Sequence, residues 1–180
     1  AHAQVAELAQ LLQCPVIQTP GGGAVLPGLD ERTFPYASPA GTDAVARADL
    51  VIAVGTEIGE PIHYGQGRHW AKGNTARKWI YIEKDQLSIG VNRPIDAPLV
   101  GDLRDVVPQL IEALKPAPRK PAPELAVWEK ESAALKAQLL ELAPKQSTPV
   151  HPARFAIEAT RTLPADSVII RDAGAVSIFT

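Results

Sequence analysis

The sequence contains no methionine, position 1 included, and a single cysteine, Cys14, in 180 residues. One cysteine cannot close an intrachain disulfide, and it excludes a cysteine-based zinc cage. A surplus of either charge is also missing. Eighteen Lys and Arg against 20 Asp and Glu leave a net charge of −2, which argues against a mainly electrostatic nucleic-acid binder. No apolar run approaches the roughly 18 residues of a membrane span, and no N-terminal block joins a basic flank to an apolar centre. The absent methionine suggests a processed chain or an excerpt of a longer one. What is present is ordinary for a globular protein: 46% apolar and 21% charged residues, enough for one domain or a domain plus an appendage. The one excess is proline, 17 of 180, about double the usual share.

Apolar spacing organises the chain. Val5, Leu8, Leu11 and Leu12 recur at three and four residues, so Ala3–Gln13 is predicted to be a helix with one apolar face. Residues 15–18 (PVIQ) read as a short buried strand, followed by the loop 19–23 (TPGGG). A helix over Thr42–Ala48 leads into the clearest strand, residues 49–55 (DLVIAVG). It is continuous, rich in β-branched residues and ended by glycine, as in a parallel strand buried on both faces. Residues 78–83 (KWIYIE) and 97–102 (APLVGD) repeat the pattern, and Leu103–Leu114 is a helix with Leu103, Val106, Val107, Leu110, Ile111 and Leu114 on one stripe. Helices alternating with short apolar strands predict a doubly wound, mostly parallel, Rossmann-like α/β domain over residues 1–114.

Residues 115–123 (KPAPRKPAP) hold four prolines and three cations, the composition of an extended, semi-rigid linker. Leu125, Trp128, Leu135, Leu139 and Leu142 then mark an amphipathic helix, expected to dock on its own protein because its repeat is too short for a zipper. The linker and this helix occupy residues 115–150. From 151 onward a second α/β domain begins, with a helix over residues 152–162, a strand at Ser167–Arg171 and a glycine turn at Asp172–Ala175.

Several motifs invite chemistry. Gly21-Gly22-Gly23 offers bare amides to an anion, but Leu26 stands where the dinucleotide fingerprint needs its third glycine, so a flexible turn is the favoured reading. Gly55-Thr56-Glu57-Ile58-Gly59 follows the strongest strand, where ligands of open α/β sheets sit; a tight turn explains it equally well. Glu83 ends its strand as a ribose-binding acid does, while Asp85 suits the cap of a turn over Gln86–Ile89. His63 and His69, six apart in a glycine-rich loop with Tyr64, Arg68 and Trp70, do not have helix-borne ligand spacing and more plausibly line a pocket or a subunit contact. Neither Ser38 nor Ser177 sits in a nucleophile elbow. No catalytic and no metal-ligating residue is identified from these patterns.

The order of the pieces is more specific than any one of them. Residues 6–27 (AELAQLLQCPVIQTPGGGAVLP), 48–61 (ADLVIAVGTEIGEP) and 79–114 (beginning WIYIEKDQLSIGVN and containing VGD) resemble, in sequence, the central domain of thiamine-diphosphate-dependent enzymes. The acetolactate synthase, benzoylformate decarboxylase and oxalyl-CoA decarboxylase group is closest in pattern. Residues 163–180 look like the first strand and turn of that family's diphosphate-binding domain.

The resemblance implies a cytoplasmic, homo-oligomeric enzyme that uses thiamine diphosphate and Mg²⁺ on a 2-oxo acid or related carbonyl substrate. The activating glutamate and the metal-binding motif of the family are expected in segments other than this one, so the excerpt alone should be inert. It also implies FAD or ADP in the central domain, held at Gly55 and Thr56, Glu83 and Lys84, and Gly101 and Asp102, with Gly174, Ala175 and Val176 touching the thiamine diphosphate through backbone amides. The arginine-rich turn of flavin-binding members is replaced by residues 55–60 (GTEIGE), and acidic residues stand where a diphosphate would sit. A reading from another class is a stand-alone nucleotide-binding or regulatory module of sirtuin-like shape, or a structural oligomerisation domain.

Overall fold

The computed structural model describes residues 1–20, 22, 26, 28–71, 76–116, 119–142, 144 and 146–170. The chain divides into two compact units, residues 1–132 and 133–180.

In the first unit, α1 (His2–Leu12) ends where Gln13 turns left-handed at φ 54°. β1 (Val16–Gln18) pairs in parallel with β2 (Thr33–Pro35), register Ile17 to Phe34. β2 has no counterpart in the sequence reading: three residues ending in proline carry too little periodicity to be seen. α2 (Pro39–Arg47) starts three residues earlier than its apolar pattern, because Ser38 caps it by accepting the Gly41 N–H at 3.0 Å and Pro39 opens the first turn. Only glycine fits at position 41, since a Cβ would lie 2.2 Å from the Pro35 carbonyl oxygen.

β3 (Leu50–Val54), β4 (Lys78–Glu83) and β5 (Ala97–Val100) form a parallel sheet with β4 in the centre. Alternate residues of these strands are apolar on both faces, and each face is covered. Ile52, Val54, Ile80, Ile82 and Leu99 pack with α1 and with α4 (Leu103–Leu114) through Leu8, Val107 and Ile111. On the other side Val51, Ala53, Trp79 and Tyr81 pack against Tyr36, Val45 of α2, Ile58, Ile62 and Trp70 of α3 (Arg68–Ala71). Helices on both faces of a parallel sheet are the doubly wound α/β arrangement expected from sequence.

Two arginines hold the second face together. Arg77 donates to the carbonyls of Ala46, Ala48 and Trp70 at 2.9–3.0 Å, which satisfies carbonyls left over at the end of α2. Arg93 lies 3.8 Å over the Trp79 ring and donates to the Gly65 carbonyl at 2.6 Å. Gly65 has φ 64°, and a Cβ there would press on Trp79 at 2.8–2.9 Å.

α5 (Leu125–Leu142) begins in the first unit and ends in the second. Its first turns dock: Leu125 and Trp128 are buried with Phe34, Ala40 and Ala44. The Trp128 indole donates to Asp43 Oδ2 at 2.9 Å, and Glu129 pairs with Arg32 at 3.2 Å.

In the second unit α6 (Pro152–Thr162) has the bounds expected from sequence, its first turn capped by His151 Nδ1 accepting the Ala153 N–H at 3.2 Å. The strand expected at Ser167–Arg171 is a correction. Residues 167–170 form no strand, and Val168 and Ile170 are 88% and 93% exposed. A strand exists through hydrogen bonds to a neighbour, and none of the described residues pairs with this segment.

Candidate functional site at the carboxyl ends of the strands

Parallel pairing brings the ends of β3, β4 and β5 to one edge of their sheet. The end of β1 joins them, because Thr19 Oγ1 and Thr56 Oγ1 are 2.9 Å apart. β1 and β2 pair with each other, and β3, β4 and β5 form a separate three-stranded sheet. Open α/β sheets bind ligands beyond the carboxyl ends of their strands.

Six of the residues singled out from sequence are gathered here, and each is already engaged within the domain. The Gly55 N–H donates to Ile82 O at 3.2 Å and the Gly101 N–H to Glu83 O at 3.0 Å, both continuing the sheet. Their missing side chains make room for α4. A Cβ on Gly55 would lie 2.8 Å from Leu103 Cδ1, and one on Gly101 2.8 Å from Val106 Cγ2. The Thr56 hydroxyl is paired with Thr19. Glu83 folds back on its own turn, with Oε1 accepting the N–H groups of Lys84 at 2.8 Å and Asp85 at 3.2 Å. Asp102 caps α4 by accepting the Arg104 N–H at 2.9 Å and binds the Arg104 guanidinium at 2.8–2.9 Å. Asp85 caps the turn Gln86–Ser88, accepting from Leu87 N at 2.9 Å, the role read for it from sequence.

Sequence reasoning did not single out Tyr81. It is buried on the second face, with its hydroxyl 3.4 Å from Glu83 Oε2. Together with Glu57, Ile58, Asp85, Asn92 and Arg93 it lines a cleft of about 210 Å³, below the ~300–1,000 Å³ of small-molecule sites. Burial, then the negative charges of Glu83, Glu57 and Asp85, push the Tyr81 phenol up to about 12. The alternation of β4 could have found it, because Tyr81 is two residues from Glu83 and shares its face. At the other end of the crevice the Arg104 guanidinium, the Arg104 N–H and the charge of Lys84 hold the Asp102 carboxyl well below the usual carboxylate range.

Residues 1–110 match the family model described as the thiamine pyrophosphate enzyme central domain. The chain belongs to that family. It is similar to the acetolactate synthase large subunit of Porphyra purpurea, 28% identical over 97% of this chain and 29% of that protein. It is also similar to an acetolactate synthase of Mycobacterium bovis, 31% identical over 71% of this chain and 21% of that protein. Human 2-hydroxyacyl-CoA lyase 1 is 25% identical over 96% of this chain and 30% of its own length. The chain thus spans less than a third of the length of these relatives.

In this central domain the histidine loop forms an aromatic cluster. Trp70 Nε1 donates to the Tyr36 hydroxyl and to Ile62 O, each at 2.9 Å, and the Tyr36 hydroxyl lies 3.1 Å from His63 Nδ1. The His63 and His69 rings are 5.5 Å apart, and both flank Tyr36. His63 and Tyr64 both have positive φ, 52° and 55°, which non-glycine residues adopt only when surrounding contacts impose it. Among the described residues no three His, Cys, Asp or Glu side chains gather as a metal site. No helix among them is long and apolar enough to cross a membrane. Burial raises the thiol pKa of Cys14 above its ordinary value. Gly22 is described, its N–H donating to Thr19 O at 2.8 Å; Gly21, Gly23 and the thiamine-diphosphate contacts expected at Gly174, Ala175 and Val176 lie outside the described residues.

Proposed function

We propose that this chain serves a thiamine-diphosphate- and Mg²⁺-dependent enzyme acting on a 2-oxo acid or related carbonyl compound, by acetolactate-synthase-like carboligation or decarboxylation. The observation that carries the reading is the similarity to thiamine-diphosphate enzymes across the whole chain. The family model matches residues 1–110, and the likeness to the Porphyra purpurea large subunit continues past the linker to 97% of the chain. Residues 1–114 are the central domain in this reading, 115–150 the linker and amphipathic helix, and 151–180 part of the thiamine-diphosphate-binding domain. When bound, thiamine diphosphate would supply the electron sink for such chemistry, and none of the residues described above is assigned a catalytic role. The enzyme is read as a cytoplasmic homo-oligomer.

The test uses the purified full-length protein with a panel of 2-oxo acids. Release of carbon dioxide that requires added thiamine diphosphate and stops on chelation of Mg²⁺ is the expected result. A protein that neither binds thiamine diphosphate nor consumes any 2-oxo acid of the panel would overturn the reading. FAD or ADP would enter this reading only as a ligand of the crevice, separate from the proposed reaction.

A further inference from the structure

We infer that the crevice at the carboxyl ends of the strands is closed to nucleotide diphosphates, and that the central domain of this protein carries neither FAD nor ADP. The inference concerns this domain's own residues and stands apart from the proposed reaction. A diphosphate at a strand-end crevice needs unmade N–H donors and glycines that give way to its oxygens.

At the ends of β4 and β5 the described residues meet neither requirement. The Gly22 N–H beyond β1 is bound to Thr19 O, and those of Gly55 and Gly101 are in the sheet. Beyond β4 the N–H groups of Lys84 and Asp85 already hold the Glu83 carboxylate, and at the head of α4 the Arg104 N–H holds Asp102. The helix N-terminus that would face a phosphate is therefore occupied by the chain's own anion. The hydroxyls of Thr19 and Thr56 face each other.

Glycine identity points the same way. The space beside Gly55 and Gly101 is filled by Leu103 and Val106 of α4, each 2.8 Å from where a Cβ would stand. These glycines permit helix packing and leave no cradle for a ligand.

Charge completes the argument. Glu57 and Asp85 line the cleft beside Tyr81, and Glu83 faces the Tyr81 hydroxyl. The raised phenol of Tyr81 registers all three carboxylates. Of the nearby cations, Arg104 is bound to Asp102, Lys84 acts on the same carboxylate, and Arg93 is held by Gly65 O and the Trp79 ring. A diphosphate entering here would have to displace carboxylates already bound at these turns and would meet the negative charges of Glu57 and Asp85.

The experiment takes the purified full-length protein, denatures one portion to release any flavin or adenine nucleotide, and titrates another with FAD and with ADP by equilibrium dialysis. The expected result is no co-purified nucleotide and no saturable binding up to about 1 mM. Hydrogen exchange in the peptides spanning residues 55–60, 83–86 and 101–105 should be unchanged by either nucleotide. Stoichiometric FAD or ADP in the released fraction, saturable binding, or slowed exchange in those peptides would overturn the inference. Thiamine diphosphate affinity of the same preparation is read separately, so its loss would count against the proposed reaction and not against the closed crevice.

Discussion

Replacing Gly55 by alanine tests whether that glycine exists for packing. Gly55 has φ 54°, and its added Cβ would stand 2.8 Å from Leu103 Cδ1. Alanine in the left-handed region costs about 1–2 kcal/mol relative to glycine, and forcing a methyl into a filled space costs about 1–3 kcal/mol more. Gly55→Ala should therefore destabilise by about 2–5 kcal/mol, read from urea unfolding followed by circular dichroism. Leu103→Ala alone removes a partly buried side chain of the α4 cluster and should cost about 2 kcal/mol, near the low end for such truncations.

In the double variant the clash disappears while the backbone penalty stays. Its cost should fall short of the summed single effects by about 1–3 kcal/mol. Gly101→Ala supplies the control: its φ is not positive and only Val106 Cγ2 stands in the way, so overpacking alone, about 1–3 kcal/mol, is expected. Additivity of Gly55→Ala and Leu103→Ala within about 0.5 kcal/mol would refute the packing account. A Gly55→Ala cost below that same margin would refute the strain account as well.

Two further outcomes follow from the geometry. Trp128→Phe keeps most of the buried ring but loses the bond to Asp43, and should cost about 1–2 kcal/mol in the same unfolding assay; Asp43→Asn should then cost less in that background than in the parent. Tyr81 titrates above its ordinary 10, at about 12, so it adds stability that is complete below pH 10 and is lost as pH rises toward 12. The phenolate absorbance missing from Tyr81→Phe should report that midpoint, Glu83→Gln should lower it, and a midpoint near 10 in the parent would contradict the acidic environment described.

Much of the fold was legible because it follows from periodicity. α4, α6 and β4 have the expected bounds, since their apolar spacing and their caps or strand ends coincide in sequence. α2 was mislocated at its start because Ser38-Pro39 is a capping signal without apolar spacing. β2 was invisible at three residues, and the strand expected at 167–171 shows the opposite failure, a fitting composition whose residues 167–170 pair with none of the described residues. The crevice could be located from strand ends alone. Its state could not, because whether Glu83 and Asp102 await a ligand or cap their own turns depends on rotamers and on the approach of α4. No spacing in the chain encodes those.

Neighbouring parallel strands leave a crevice beyond their carboxyl ends, whatever the side chains there. Topology therefore supplies the place, and local chemistry decides whether anything occupies it. Here the same residue types that read as binding signals perform another task at each strand end. Gly55 and Gly101 let α4 close on β3 and β5, Asp102 starts α4, and Glu83 ties the turn that follows β4. Opening this crevice to an anion would mean unmaking the cap of α4, the helix whose Val107 and Ile111 cover Ile82 on one face of the sheet. Ligand binding and domain stability would compete for the same N–H groups, and in this sequence the carboxylates have taken them.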